Sequence, residues 1–379
     1  MFRYAKLSDR DELRSLWQLC FNDSESFADW FFTERFLPEY CAVWEESGRI
    51  ACALHSLPLH MRVRSAIIPC AMIAGIATLP EYRGRGLMRA VMTAHLKTLR
   101  GLSVPLVSYR PVDFAYYRSL GHYAVADKLF LTKKESGWEP NPAITGISDV
   151  TVCEIDAREH LAALYMLYCR AAAPYSGMIA RSYADFALKY RDYASDGACC
   201  AAAFDRSELA GYCFYYAGEH TLEGVELLAA DADAYAALFA FLSVLAAGRE
   251  LKLALPPDAV FDYNSAEVIT APRTAAGVTD VSALLRSTLS DVTGLDGFAV
   301  EIRDGVLPEN SGVYDLRGDR TQTKPRLALD PGRLAQFIFG YRSVFELAQR
   351  GEAEIFDPGA VDALDKALPK QCCYCIDEY

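Results

Sequence analysis

Gly75-Ile76-Ala77-Thr78-Leu79-Pro80-Glu81-Tyr82-Arg83-Gly84-Arg85-Gly86-Leu87-Met88 changes period midway. The β-rich run Ile67–Thr78 ends at Pro80, a short basic loop follows, and from Leu87 to Arg100 the apolar residues Leu87, Met88, Val91, Met92, Leu96 and Leu99 fall on one helical face. A strand, a glycine-containing loop and a helix in that order make an anion site. The first N–H groups of a helix have no intrahelical acceptor, and the helix dipole favours negative charge beside them. Gly84 and Gly86 let phosphate oxygens come close, and Arg83, Arg85 and Arg89 supply positive charge. The loop has neither the Gly-Lys-Ser/Thr of a P-loop nor Gly-x-Gly-x-x-Gly, which disfavours nucleotide hydrolysis and hydride transfer.

Outward from this loop, the pattern predicts helices over Asp9–Cys20 and Ser26–Phe36, strands over Cys41–Glu45, Ile50–His60 and Ile67–Thr78, the loop and its helix, and a strand over Val104–Ser108. Glu135–Asp149 carries Gly, Pro and Asn without periodicity and marks a domain boundary. A similar order follows: a helix at His160–Ala171, strands at Ala198–Phe204, Leu209–Tyr216 and Gly224–Leu228, and an apolar helix at Ala232–Ala247. After Ala271-Pro272-Arg273 a last segment holds helices at Asp280–Leu289, Pro331–Phe339 and Asp357–Leu368 and strands at Phe298–Ile302 and Ser311–Leu316. The expected domains are 1–134, 150–270 and 273–379, with 379 residues long enough for more than one core.

Composition narrows the function. The chain is 52% hydrophobic and 23% charged with a net charge of −12, ordinary for a folded soluble protein. That charge is unevenly spread: residues 1–134 have 18 basic against 13 acidic residues, whereas residues 135–379 have 20 against 37. A basic first domain suits a phosphorylated cofactor, an acidic remainder suits a cationic substrate, and nucleic acid is not an expected partner. The longest apolar run, Tyr235–Ala247, falls short of the roughly 20 residues of a membrane span, and the N-terminus lacks signal-peptide features, so the expected location is cytoplasmic with the twelve cysteines reduced. Neither Cys199-Cys200 nor the Cys372, Cys373, Cys375 cluster has zinc-ligand spacing, and the six histidines show no ligand or triad spacing, so no metal is expected.

Arg-Gly-x-Gly-Leu after a strand and before a helix resembles the acetyl-CoA pyrophosphate loop of the GCN5-related N-acetyltransferases (GNAT). Arg83, Gly86 and Met88 stand at the places of the pattern Gln/Arg-x-x-Gly-x-Gly/Ala. Met88 departs from its last position, as in the enhanced intracellular survival (Eis-like) subgroup. Phe114-Ala115-Tyr116-Tyr117-Arg118-Ser119-Leu120-Gly121-His122 is similar to the family's Phe-Tyr-x-x-x-Gly-Phe segment, with Tyr117 in the tyrosine position. Tyr116 and Tyr109 are the alternative hydroxyls, and His122 either faces the site or packs within a turn.

The resemblance spans nearly the whole chain. It implies an α+β architecture of tandem acetyltransferase folds with mixed central sheets, the second lacking the phosphate loop, followed by a sterol-carrier-like α/β domain. It further implies acetyl-CoA as co-substrate and direct transfer of acetyl to a primary amine. The backbone of Ile76, Ala77 and Thr78 would pair with the pantetheine arm, and that of Arg83, Gly84, Arg85, Gly86, Leu87, Met88 and Arg89 would hold the pyrophosphate. Val112 and Asp113 are further candidates along that channel. Tyr117 would protonate the departing thiolate, and the C-terminal carboxylate of Tyr379 would take the amine proton. Asp23, Phe27, Trp30 and Glu378 are candidates to hold the cationic amine, although Trp30 equally suits the core. Assembly into a hexamer is implied too. The alternative is a non-catalytic carrier of an apolar ligand in the third domain, with acetyl-CoA as regulator.

Overall fold

The computed structural model describes residues 1–134, 150–259 and 266–378. The boundary expected over Glu135–Asp149 therefore lies outside the described residues, as does Tyr379. The chain forms two compact units. One combines Met1–Ala126, Tyr175–Ala180 and the chain from Arg273 onward; the other combines Asp127–Pro174 and Arg181–Pro272. The expected first and third domains thus belong to one unit, interrupted in sequence by the other.

In the first unit, strands β1 (Phe2–Tyr4), β2 (Cys41–Glu46), β3 (Arg49–Val63) and β4 (Ala66–Thr78) pair antiparallel in that order, and β5 (Leu106–Tyr109) joins β4 in parallel. Helices α1 (Arg10–Cys20), α2 (Glu25–Trp30), α3 (Leu87–Gly101) and α4 (Ala115–Arg118) occur along the same stretch. The single helix expected over Ser26–Phe36 is instead α2 continued by a π-helical turn, Phe31–Arg35. Leu87, Val91, Met92, Leu96 and Leu99 of α3 are buried with Ala71 and Ile73 of β4, as the helical spacing predicts.

Strand β6 (Tyr123–Lys133) carries the chain into the second unit. There β7 (Val150–Ile155), β8 (Cys199–Asp205), β9 (Glu208–Ala217) and β10 (Thr221–Ala229) form an antiparallel run, β11 (Glu250–Leu255) lies parallel to β10, and β6 is antiparallel to β11. Helices α5 (Leu161–Ala172), α6 (Tyr183–Ser195) and α7 (Ala232–Leu245) complete it, and Leu238, Phe239 and Leu242 of α7 sit in its core. Glu226 on β10 is fully buried yet satisfied: Arg181 donates to it at 3.0 and 2.8 Å, Tyr193 at 3.0 Å and Tyr212 at 2.6 Å. Where α3 begins at a glycine, α7 begins at Asp231, whose carboxylate accepts the Ala234 N–H at 2.9 Å. An acidic cap leaves that helix start unsuited to phosphate.

Strand β12 (Glu267–Val278) brings the chain back into the first unit, antiparallel to β5. Ala271-Pro272-Arg273, expected as a break, lies inside this strand. Its pairing with β5 covers only Ala275–Val278, so the missing N–H of Pro272 costs no bond there. A four-stranded sheet follows in the order β14-β13-β15-β16, made of β13 (Ala299–Ile302), β14 (Gly312–Asp315), β15 (Leu327–Leu329) and β16 (Ala353–Ile355), with helices α8 (Val281–Leu289), α9 (Pro331–Phe339), α10 (Val344–Gln349) and α11 (Pro358–Ala367). Its apolar residues, among them Leu284, Leu334 and Leu364, share one core with Leu57, Met61, Ile68 and Met72 of the β3–β4 hairpin.

The hairpin is fastened at its turn. Arg64, at φ +54°, places its guanidinium on the carbonyls of Phe337, Ile338, Leu368 and Pro369 at 3.2, 2.8, 3.1 and 2.7 Å, which are the carboxyl-terminal ends of α9 and α11. A cation against helix carboxyl ends is favourable, and one guanidinium gives a charged donor to all four carbonyls. Arg64→Ala should lower unfolding stability by about 3 kcal/mol, read as a reduced denaturant midpoint.

Candidate active site

The two strands that open the site part after a short shared ladder. Strand β4 pairs with β5 only through Cys70–Leu106, Ala71–Val107 and Met72–Ser108. Beyond Met72, β4 stays paired with β3 on its other side, where the register jumps from His55–Ala74 to Ala53–Ala77. Gly75 and Ile76 therefore form a bulge. Gly75 has φ +55°, and a Cβ there would lie 1.9 Å from Cζ3 of Trp17. The indole of α1 thus presses directly on the bulge, and only glycine meets both the backbone angle and the space. Ile76, Ala77 and Thr78 follow on β4 past the end of the ladder with β5, so they form a strand edge on that side.

After Thr78 a 3-10 turn, Pro80–Tyr82, leads into the loop. Gly84 (φ +75°) and Gly86 (φ +76°) have no protein atom within 4 Å of where a Cβ would stand, so backbone conformation and open space together mark them. The first helical bond of α3 runs from the Ala90 N–H to the Gly86 carbonyl at 3.1 Å, which leaves the N–H groups of Leu87, Met88 and Arg89 without an intrahelical acceptor. Arg83 folds back, its Nε donating to the Thr78 carbonyl at 3.1 Å. Arg85 lies over the Tyr82 ring and pairs with Glu46 at 2.9 Å, while Arg89 is exposed on the first turn.

Tyr117 lies on α4, whose entry is set by the Asp113 carboxylate accepting the Ala115 N–H at 2.8 Å. Of the three candidate hydroxyls, that of Tyr116 belongs to a residue 65% exposed, and that of Tyr109 is buried and shares a 2.8 Å hydrogen bond with Nδ1 of His122. Tyr117 packs its ring on Tyr109, with centroids 4.7 Å apart. Burial pushes its hydroxyl up to about 12, so it stays protonated near neutrality. His122 is buried, its ring filling the space left by the absent side chain of Gly277, and burial lowers its pKa to about 4. It is a packed, neutral residue that supports Tyr109.

Of the acceptor-side candidates, Asp23 accepts a 2.8 Å hydrogen bond from the Trp17 indole N–H, and Phe27 stands with its ring 6.2 Å from that of Trp17. Both gather at the residue that backs the bulge. Trp30 is 8% exposed and its indole N–H has no hydrogen-bond partner among the described residues, a position in keeping with the core. His55 lies within the rings of Trp17, Phe31, Phe32 and Phe36, where burial lowers its pKa to about 3.

The tail is threaded into the same unit. Ser176 bridges it, accepting from the Tyr374 N–H at 2.9 Å and donating its own N–H to the Cys372 carbonyl at 3.1 Å. Cys373, Tyr374, Cys375, Ile376 and Asp377 are buried. Glu378, a candidate to hold a cationic amine, is bonded to Arg110 at 3.1 Å and to Arg273 at 2.9 and 3.2 Å. Sequence reasoning missed Arg110, Arg273 and Trp17. Gly75 alone carried a local signal, a single glycine inside a strand pattern. Among the described residues no three His, Cys, Asp or Glu side chains are grouped to hold a metal, and no helix is long and apolar enough to cross a membrane.

Comparison with known proteins agrees with this geometry. The family model described as an acetyltransferase (GNAT) domain matches residues 1–126, and that of a sterol carrier protein domain matches residues 283–376. Similar solved structures include a conserved protein from Enterococcus faecalis described as a probable N-acyltransferase (19% identity, 100% of this chain and 99% of that one, TM-score 0.82). Another is Eis1 from Mycobacterium abscessus (20%, 100% of both chains, 0.78), and a third is a GCN5-related N-acetyltransferase from Anabaena variabilis (17%, 100% of both, 0.82). No curated protein matches. The chain carries an acetyltransferase (GNAT) domain over residues 1–126 and a sterol carrier protein domain over residues 283–376.

Gly75→Ala should lower stability by about 2 kcal/mol or more, since it adds both strain at positive φ and a clash with Trp17. Trp17→Leu on the same chain should return part of that loss, so that the double variant unfolds at a higher denaturant concentration than simple addition of the two costs gives.

Proposed function

We propose that the protein transfers the acetyl group of acetyl-CoA to a primary amine of a cationic acceptor, by direct attack and without a covalent enzyme intermediate. The observation that carries this reading is the strand edge Ile76–Thr78 joined by the glycine loop to the N–H groups at the start of α3 that lack an intrahelical acceptor, within the unit that holds the buried, protonated Tyr117. The pantetheine amides would add to that edge as a further strand. The pyrophosphate would lie on the N–H groups of Leu87, Met88 and Arg89, with Arg83, Arg85 and Arg89 beside it. The amine nitrogen attacks the thioester carbon and the carbon–sulfur bond breaks. Tyr117 gives its proton to the departing thiolate, and the Tyr379 carboxylate accepts the proton lost by the amine.

A carboxylate with a pKa of about 3.5 is a weak base in water, so this role calls for a site that excludes water or relays the proton through one. The acidic remainder of the chain favours cationic acceptors such as polyamines, aminoglycosides or lysine-like amines. The carrier reading draws no support from the C-terminal portion, whose apolar residues are packed on Leu57, Met61, Ile68 and Met72. Cytoplasmic location and assembly into a hexamer, which light scattering after size exclusion would measure, belong to the same reading.

The test is acetyl-CoA turnover, followed by thiol release against a panel of polyamines and aminoglycosides. Tyr117→Phe should lower kcat by about two to four orders of magnitude while acetyl-CoA affinity stays within about twofold. Normal turnover in that variant would remove Tyr117 from the mechanism. Because the phenol stays protonated up to about pH 12, kcat should show no alkaline fall owed to Tyr117 between pH 7 and 10.

A further inference from the structure

The last described residues carry a contact that the mechanism above does not use. Glu378 is largely buried, at 17% side-chain exposure, and both of its carboxylate oxygens are taken. Nε of Arg273 donates to one at 2.9 Å, and the other accepts from Arg273 Nη2 at 3.2 Å and pairs with Arg110 Nη1 at 3.1 Å. The two arginines come from different parts of the chain, Arg110 directly after the end of β5 and Arg273 from β12, which pairs with β5 two residues later in the antiparallel register Ala275–Tyr109. A forked guanidinium on a carboxylate fixes direction as well as distance, and a second cation from a separate strand removes the remaining freedom to swing.

The location matters more than the strength. Arg110 follows Tyr109, whose ring carries Tyr117 at 4.7 Å and whose hydroxyl bonds His122. The carboxylate of Glu378 is therefore anchored one residue along the chain from the platform of the proposed acid. Upstream, the tail is already fixed by the Ser176 bridge and by burial from Cys373 to Asp377. The ion pairs at Glu378 are a second fixed point, at the site end of the segment. An exposed ion pair contributes little to stability, so a latch built on the half-exposed Arg110 and the partly exposed Arg273 makes better sense as a device for register than for holding the fold.

We infer that Arg110 and Arg273 form a latch on Glu378 that positions the end of the chain for catalysis. Both arginines act through the tail, as positioning residues, and neither handles substrate. This inference rests on the reading of the Tyr379 carboxylate as the base. Tyr379 follows the latched residue directly in sequence, so releasing Glu378 releases the base with it.

The experiment uses the full chain and compares Arg110→Ala, Arg273→Ala, Arg273→Lys, Glu378→Gln and a variant ending at Glu378, each checked by its thermal midpoint. With the latch in place as inferred, Arg110→Ala, Arg273→Ala and Glu378→Gln lower kcat on the order of tenfold to a hundredfold. The KM for acetyl-CoA stays within about twofold, because the strand edge and the loop are untouched. Arg273→Lys recovers part of the loss, since it restores charge without the fork. Arg110→Ala combined with Glu378→Gln is no worse than either alone. Parental kcat in both arginine variants would overturn the latch, and so would a loss that appears in KM alone or that follows a fallen thermal midpoint. The chain ending at Glu378 tests the base separately. If it loses turnover while the arginine variants keep theirs, the base stands and the latch fails; if it keeps turnover, the base itself is refuted and the latch with it.

Discussion

The candidate site depends on β4 and β5 ceasing to pair after Met72 and Ser108. Two parallel strands that stayed together would satisfy each other's backbone and leave nothing for a ligand to bond. The bulge at Gly75 and the indole of Trp17 pressed on it shape β4 where it leaves β5. The same indole gives its N–H to Asp23 and packs on Phe31 and Phe27, so the strand edge, the first two helices and the buried His55 form one connected piece. A sheet edge in most proteins is a hazard to be covered; here it is kept short, and a 3-10 turn and a glycine loop link it to a helix start.

The C-terminal portion is bound into this arrangement by groups that are chemically modest but numerous. Arg64 satisfies four carbonyls at the ends of two helices, Gln336 donates to the Ala124 carbonyl at 2.7 Å, and Arg333 lies 3.5 Å from the centre of the Tyr123 ring. Gly332 comes so close to the carbonyl of Gly121 that a Cβ would stand 2.0 Å from it. The segment from Gly121 to Ala124, just after the tyrosine helix, thus rests on α9. A domain whose name suggests cargo is built here as a wall behind the segment that follows α4.

What could be read from the sequence was whatever repeats locally. The loop between β4 and α3 declared itself through a change of period and two glycines, and the amphipathic face of α3 was legible residue by residue. Strand β12 was not, because Pro272 in its middle reads as a break; only the pairing shows that the proline sits outside the ladder with β5. Arg64 and the carbonyl of Leu368 are 304 residues apart, and Arg273 and Glu378 are 105 apart. No periodicity carries such contacts, since they depend on where two distant backbones end up. Trp30 shows a different limit: an aromatic residue near an expected cleft suits a ligand contact and the core equally in sequence, and only the fold shows that it is buried.

The interleaved order of the two units sets a schedule for making the protein. Residues 127–272 hold most of the second unit in nearly continuous sequence, so that unit can form while synthesis is still under way. The first unit cannot. Its sheet needs β12, its hairpin core needs Leu284, Leu334 and Leu364, and Arg64 needs carbonyls that emerge three hundred residues after it. The strand edge and the glycine loop before α3 are among the first parts translated, yet the unit that holds them needs the last hundred residues to be complete. A ribosome that stalls beyond residue 272 therefore leaves a folded middle and an unfinished, apolar first third. Chaperones would meet this protein as an N-terminal segment awaiting its far end.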